Sequence, residues 1–265
     1  MPVPDPRTLQ TLRERIRRIE AGGAQGGTAY GGSGGKGALP FGIAAMDAHL
    51  PGGGLARNAL HEVSGGGPDG THAAAAALFA AGILARLKGP VLWALARRDL
   101  FAPGLAGAGL HPDRVVYAEA RDEATILLVM EEGLRHRGLA GVVGELARLP
   151  MNAGRRLQLA AEASGTPALV LRRWRGPSPD TVPAEPGAVT RWRITALPAP
   201  AFPSPVFPTG VPGLGRARWH VELLRCRGAE PAQWILEACD AQGRLAVPAD
   251  LADGPAAAEG RRASA

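Results

Sequence analysis

Lysine is almost missing from this chain of 265 residues: Lys36 and Lys88 are its two lysines, and its other basic side chains are arginines. Cysteine is as scarce. Cys226 and Cys239 are too few for a disulfide framework or an all-cysteine zinc site, and both lie in apolar surroundings, as free thiols packed in a core do. The six histidines (49, 61, 72, 111, 136 and 220) show no metal-ligand spacing, so no metal site is expected. There is no H-E-x-x-H and no pair of catalytic carboxylates, and no catalytic residue is named. No apolar run approaches the roughly 18–20 residues of a membrane span. The longest, Ala73–Leu87, is interrupted by Gly82 and Arg86. The N-terminus is proline-rich and then charged, unlike a signal peptide. The expectation is a cytoplasmic protein with no membrane partner.

Alanine and glycine are abundant, and the net charge is +6. That charge fits a nucleic-acid or acidic-protein partner, although an arginine-rich composition reaches it without one. Residues 1–21 contain an amphipathic helical pattern in which Leu9, Leu12, Ile16 and Ile19 form one narrow stripe. Such a stripe docks on one surface, of its own domain or of a neighbour. Residues 22–38 read as a flexible glycine-rich linker. Its Gly34-Gly35-Lys36-Gly37 is a decoy phosphate loop, with no preceding strand and Tyr30 in place of the first glycine.

Residues 39–197 alternate apolar runs with helical segments, the pattern of a mainly parallel sheet with helices on both faces, an α/β fold. Strands are expected at 59–63, 91–95, 115–117, 141–144, 168–171 and 191–196, and helices at 72–87, 100–108, 122–137 and 152–164. Residues 198–253 begin with a proline-rich connector and continue as a small antiparallel β element, with strands at 218–226 and 234–239 and a third at 245–247. Residues 254–265 read as a disordered tail.

The segment Ser64-Gly65-Gly66-Gly67-Pro68-Asp69-Gly70-Thr71-His72 lies between a strand pattern and an alanine-rich helix pattern, where a Walker A loop belongs. Gly65 and Gly70 hold the two glycine positions. Thr71 stands where the lysine should be, and His72 where the magnesium-binding hydroxyl should be. Without the lysine, charge on β- and γ-phosphates has no matching cation, so phosphoryl transfer loses its main support. His72 is expected to satisfy the first turn of the following helix.

The run Leu39-Pro40-Phe41-Gly42-Ile43-Ala44-Ala45-Met46-Asp47, then Leu50-Pro51-Gly52-Gly53-Gly54-Leu55 and His61-Glu62-Val63-Ser64, resembles the RecA family's approach to Walker A. Together with Trp219-His220-Val221-Glu222-Leu223-Leu224-Arg225-Cys226-Arg227, it resembles the ImuA family, related to the cell-division inhibitor SulA. The resemblance implies a RecA-like core over 39–196 and an accessory role in SOS-induced, error-prone translesion DNA synthesis. It also implies an ImuB-like Y-family polymerase homologue as partner, an error-prone replicative-type polymerase indirectly, and a capacity for self-association. The RecA family's acidic base aligns near Arg97, and an arginine cannot act as a base. The Walker B aspartate aligns with Gly144, leaving Glu145 as a residual magnesium ligand or a loop carboxylate. A non-enzyme with no cofactor is expected. A SulA-like inhibitor of cell division, or an ATPase in which Lys88 or an arginine replaces the missing cation, are the alternatives.

RecA-like proteins face DNA with the loops after their later strands, here Leu149–Arg156 and Arg172–Arg193. Arg172-Arg173-Trp174-Arg175 and Arg191-Trp192-Arg193 interleave cations with aromatics, as binding of single-stranded DNA requires. On a strand, though, Arg191 and Arg193 share one face and Trp192 takes the other, which is also how a core tryptophan sits.

Overall fold

A computed structural model describes residues 37–136, 138–174, 187–199, 201–203 and 212–249. The stripe of Leu9, Leu12, Ile16 and Ile19, the linker to residue 36, Arg175 and the tail lie outside the described residues.

A short hairpin, β1 (Ala38–Leu39) with β2 (Leu55–Ala56), brackets helix α1 (Ala44–His49). The Asp47 carboxylate accepts the N–H of Phe41 and of Gly42 at 2.6 and 2.8 Å, tying α1 to the turn before it. Gly42 takes φ +82° there, a conformation that favours glycine.

The main sheet has eight strands in the order β12-β11-β8-β3-β7-β6-β4-β5. Strands β3 (Leu60–Gly65), β4 (Val91–Leu95), β5 (Val115–Glu119), β6 (Gly141–Leu146), β7 (Ala168–Arg172) and β8 (Thr190–Leu197) run parallel. Every residue of β3 and of β6 is buried, as strands covered on both faces must be. Strands β11 (Arg218–Cys226) and β12 (Ala232–Glu237) then extend the same sheet antiparallel, β11 pairing directly with β8. The antiparallel element is therefore continuous with the parallel sheet. Residues 245–247 contribute one bridge, Glu237 to Ala246, and not a strand. Strands β9 (Ala201–Pro203) and β10 (Pro212–Leu214) form a separate small antiparallel pair.

Helix α2 (Asp69–Ala85) follows β3. Its alanines are strong helix formers, and their small side chains let it pack closely on the sheet. Phe41, Phe79, Trp192 and Trp219 cluster there with ring centroids 5.6 to 6.4 Å apart in successive pairs. Helix α3 (Ala102–Gly107) packs beside α2. The opposite face is covered by α4 (Glu123–Arg135) and α5 (Met151–Ser164), over Leu60, Val142 and Val170. Asp122 caps α4 by accepting the Thr125 N–H at 2.8 Å. Gly165, at φ 72°, ends α5. Among the described residues no helix is long and apolar enough to cross a membrane.

Candidate functional site

The loop from β3 to α2 is three residues long, Gly66-Gly67-Pro68, because the helix starts at Asp69 and not at His72. This places Gly70 and Thr71 in the first helical turn. The Gly66 N–H donates to Ile194 O at 2.9 Å, and the Thr71 and His72 N–H groups both donate to Pro68 O, at 3.0 and 3.1 Å. Three amides of the loop and first helical turn are thus already engaged.

Gly65 and Gly67 are needed for a different reason than a phosphate, whereas a Cβ on Gly70 would meet nothing within 4 Å. A Cβ on Gly65 would lie 2.8 Å from His72 Cβ, and one on Gly67 3.0 Å from His72 Cδ2. The imidazole packs against the loop itself. Its Nδ1 accepts the Ala196 N–H at 3.2 Å, which leaves the ring proton on Nε2. His72 therefore ties the loop to β8, a correction to the expectation that it serves its own helix turn.

The charged centre of the site is Arg173, just beyond β7. Its Nε donates to Asp69 at 2.9 Å, one terminal nitrogen to Glu145 at 2.9 Å and the other to Asp99 at 2.6 Å. Asp69 also accepts the Trp174 N–H at 2.8 Å, so the start of α2 is pinned to the end of β7. Glu145 is no loop carboxylate: it lies within β6, its side chain 6% exposed, and accepts the Trp93 indole N–H at 3.0 Å. Burial raises its carboxyl above the ordinary range, against the Trp93 bond and the Arg173 charge. Burial alone would lower the Arg173 guanidinium, but Glu145, Asp69 and Asp99 hold it above its ordinary value.

Magnesium does not fit this arrangement. A guanidinium already bridges the three carboxylates, and among the described residues no group of His, Cys, Asp and Glu is arranged for a metal ion. A triphosphate fits no better. The positive end of α2 has its own anion in Asp69, and further carboxylates would repel the phosphates. Arg97, aligned with the RecA family's base, is exposed beside this cluster.

Two cavities meet here. A polar one of 370 Å³ is lined by Asp69, Arg97, Asp99, Glu145, Arg173 and Trp174. An apolar one of 390 Å³ runs between α2 and α3, sharing Asp69, Asp99 and Arg173 at its mouth.

The other arginines proposed for DNA that fall among the described residues are held elsewhere. Arg172 and Arg191 both donate to Glu62 on β3, at 3.2 and 3.0 Å, and Arg172 Nε also donates to Ala147 O at 3.0 Å. Arg193 makes a two-point contact with Glu222 on β11, at 2.7 and 2.6 Å. The Arg172 guanidinium lies 5.8 Å from the centre of the half-buried Trp174 ring. Trp192 is fully buried in the aromatic cluster, as strand alternation allowed. Residues 149–156 are not an open loop: Leu149 is buried, α5 begins at Met151, and Arg156 pairs with Glu131 at 2.8 Å.

Sequence reasoning found Glu145 and Arg173 but assigned them separate roles, and it missed Asp69, Asp99 and Trp93. One signal was available. An aspartate beside the second loop glycine stands where phosphates would lie, and so calls for a cation from elsewhere in the chain.

No protein-family model matches the chain. Two curated relatives, each named Protein ImuA, come from Caulobacter vibrioides strains NA1000 / CB15N and ATCC 19089 / CIP 103742 / CB 15. Each is 41% identical over 212 residues, covering 77% of this chain and 84% of the relative. Among solved structures, the RadB recombinase superposes with a TM-score of 0.55 at 17% identity, covering 79% of this chain and 99% of that one. At that identity the likeness speaks to the fold, which is RecA-like.

Proposed function

This chain belongs to the ImuA family, and from that premise we propose that it is a non-catalytic accessory protein of SOS-induced, error-prone translesion DNA synthesis. In this reading it works in the cytoplasm as an adaptor. It binds a Y-family polymerase-like partner and, through that partner, an error-prone replicative-type polymerase.

The observation that carries the non-catalytic part is the Arg173 bridge. In place of a lysine left free to meet an incoming phosphate, a guanidinium is fixed to Asp69, Asp99 and Glu145. What remains of a nucleotide site is an ion-paired joint between β6, β7 and α2. Such a joint stabilises a shape, which is what an adaptor presents. The arginines on Glu62 and Glu222 support the same reading, since their first role is to hold strands together.

Co-expression with the Y-family polymerase-like protein and sedimentation of the purified mixture tests the adaptor role. The expected result is one stable complex at micromolar concentration. Independent sedimentation of the two proteins would overturn it.

A further inference from the structure

We infer that the groove between α2 and α3 is a docking site for a basic amphipathic helix of a partner protein, with apolar side chains along α2 and a Lys or Arg against Asp99. The inference deepens the adaptor reading and rests on it for the partner's role.

The floor of the groove is formed by Ala74, Ala77 and Leu78 of α2, and its far wall by Phe101, Gly104 and Leu105. Small residues keep the floor low. A Cβ on Gly104 would lie 3.2 Å from Phe101 Cδ1, so glycine lets that ring lie against α3. Phe101 is nonetheless 72% exposed at the rim. An aromatic ring left in water beside an apolar cavity of 390 Å³ is the kind of anchor that dominates protein interfaces. From Asp69 to Leu78 the lining follows α2 for about 13 Å, from the helical rise per residue. That length suits a helix presenting anchors at i, i+4 and i+7.

Charge selects the sign of the occupant. At the mouth stand two carboxylates (Asp69 and Asp99) and one guanidinium (Arg173), an excess of one negative charge. Asp99 is the accessible carboxylate, 45% exposed against 23% for Asp69 and 6% for Glu145. A carboxylate has acceptor sites for more than its bond to Arg173. This end of the groove therefore attracts Lys or Arg and repels phosphate and acidic side chains, although the chain as a whole carries +6.

Fluorescence anisotropy of the full chain tests this with a labelled helical peptide carrying leucines at i, i+4 and i+7 and arginines at one end. A control peptide has glutamates in place of the arginines. We expect the basic peptide to bind, and the acidic one to bind at least about tenfold more weakly. Phe101→Ala should weaken the basic peptide by about tenfold or more, and Asp99→Arg should reverse the preference between the peptides. Both residues are solvent-facing, and thermal melts are the check that the variants fold. Binding of the basic peptide that is unchanged in both variants, or absent from the wild type at about 100 μM, overturns the inference. So does a homodimer that Asp99→Arg dissolves, which would make the occupant a second copy. A clear gain in peptide affinity on removing residues 1–21 overturns it as well, by making the occupant this chain's own basic segment. A partner complex that survives both variants refutes the groove and leaves the adaptor reading intact. Peptide binding without any partner complex refutes the adaptor reading alone.

Discussion

Arg172 and Arg173 are neighbours in sequence, yet they belong to opposite faces of the sheet and to opposite electrostatic situations. Arg172 joins Arg191 on the single carboxylate of Glu62, two cations to one anion. Arg173 stands among Asp69, Asp99 and Glu145, one cation to three anions. The first group joins β3, β7 and β8 side by side. The second joins the ends of β6 and β7 to the first turn of α2, where a related fold with a lysine would place phosphate. The same residue type thus closes one region and leaves the other face with a positive excess.

Removing Arg173 should have the largest effect, because it leaves three carboxylates without their cation. Arg173→Met is expected to cost about 3 kcal/mol, a fall in Tm on the order of 10 °C. Arg173→Met combined with Glu145→Gln should recover part of that loss, since one stranded charge disappears. Equal melting of the single and double variants would mean that the carboxylates are not coupled through the guanidinium.

The pH dependence of β3 comes next. His61, between Leu60 and Glu62, is wholly buried, and burial lowers its pKa from 6.5 to about 4 despite its bond to Ala56 O. As pH falls below 6.5 the unfolded chain takes up this proton first. The stability associated with a neutral His61 is therefore complete above 6.5 and lost between 6.5 and about 4, roughly 3 kcal/mol in all. Urea melts across that range should show the decline, and His61→Gln should flatten it. An unchanged slope in the variant would assign the decline to other groups.

Glu62→Gln sharpens the comparison directly. It should cost about 2 kcal/mol, less than the loss of Arg173, because Arg172 keeps its bond to Ala147 O. A loss as large as that of Arg173→Met would erase the distinction between the two regions.

The smallest effect concerns DNA. With Glu222 engaged, Arg193→Ala should change single-stranded DNA affinity by less than about twofold at moderate salt. A tenfold loss would show that this guanidinium leaves its partner to meet phosphate.

Much of the fold was legible in the sequence, and the limit is instructive. Val91–Leu95 and Arg218–Cys226 are strands as their apolar patterns dictate, and the alanine run after Gly70 is a helix. Alternation alone placed Trp192 opposite Arg191 and Arg193. The short α1 escaped notice because six residues give too little periodicity to read. The site was legible by halves. The missing lysine and misplaced hydroxyl could be seen at once, whereas an ion pair cannot be read from one of its members. Arg173 and Asp69 are separated by 104 positions, and only strand order brings them together. An arginine cluster next to a tryptophan therefore looked like a nucleic-acid surface before its carboxylates were known.

Calorimetric titration of the full chain with Mg-ATP tests the central claim most directly, that the protein's own charges have replaced a nucleotide at the start of α2. The account predicts no binding heat up to about millimolar nucleotide, and none from Arg173→Met, whose exposed carboxylates would repel phosphate further. Saturable binding near about 1 μM, abolished by substitution of Thr71 or His72, would contradict it.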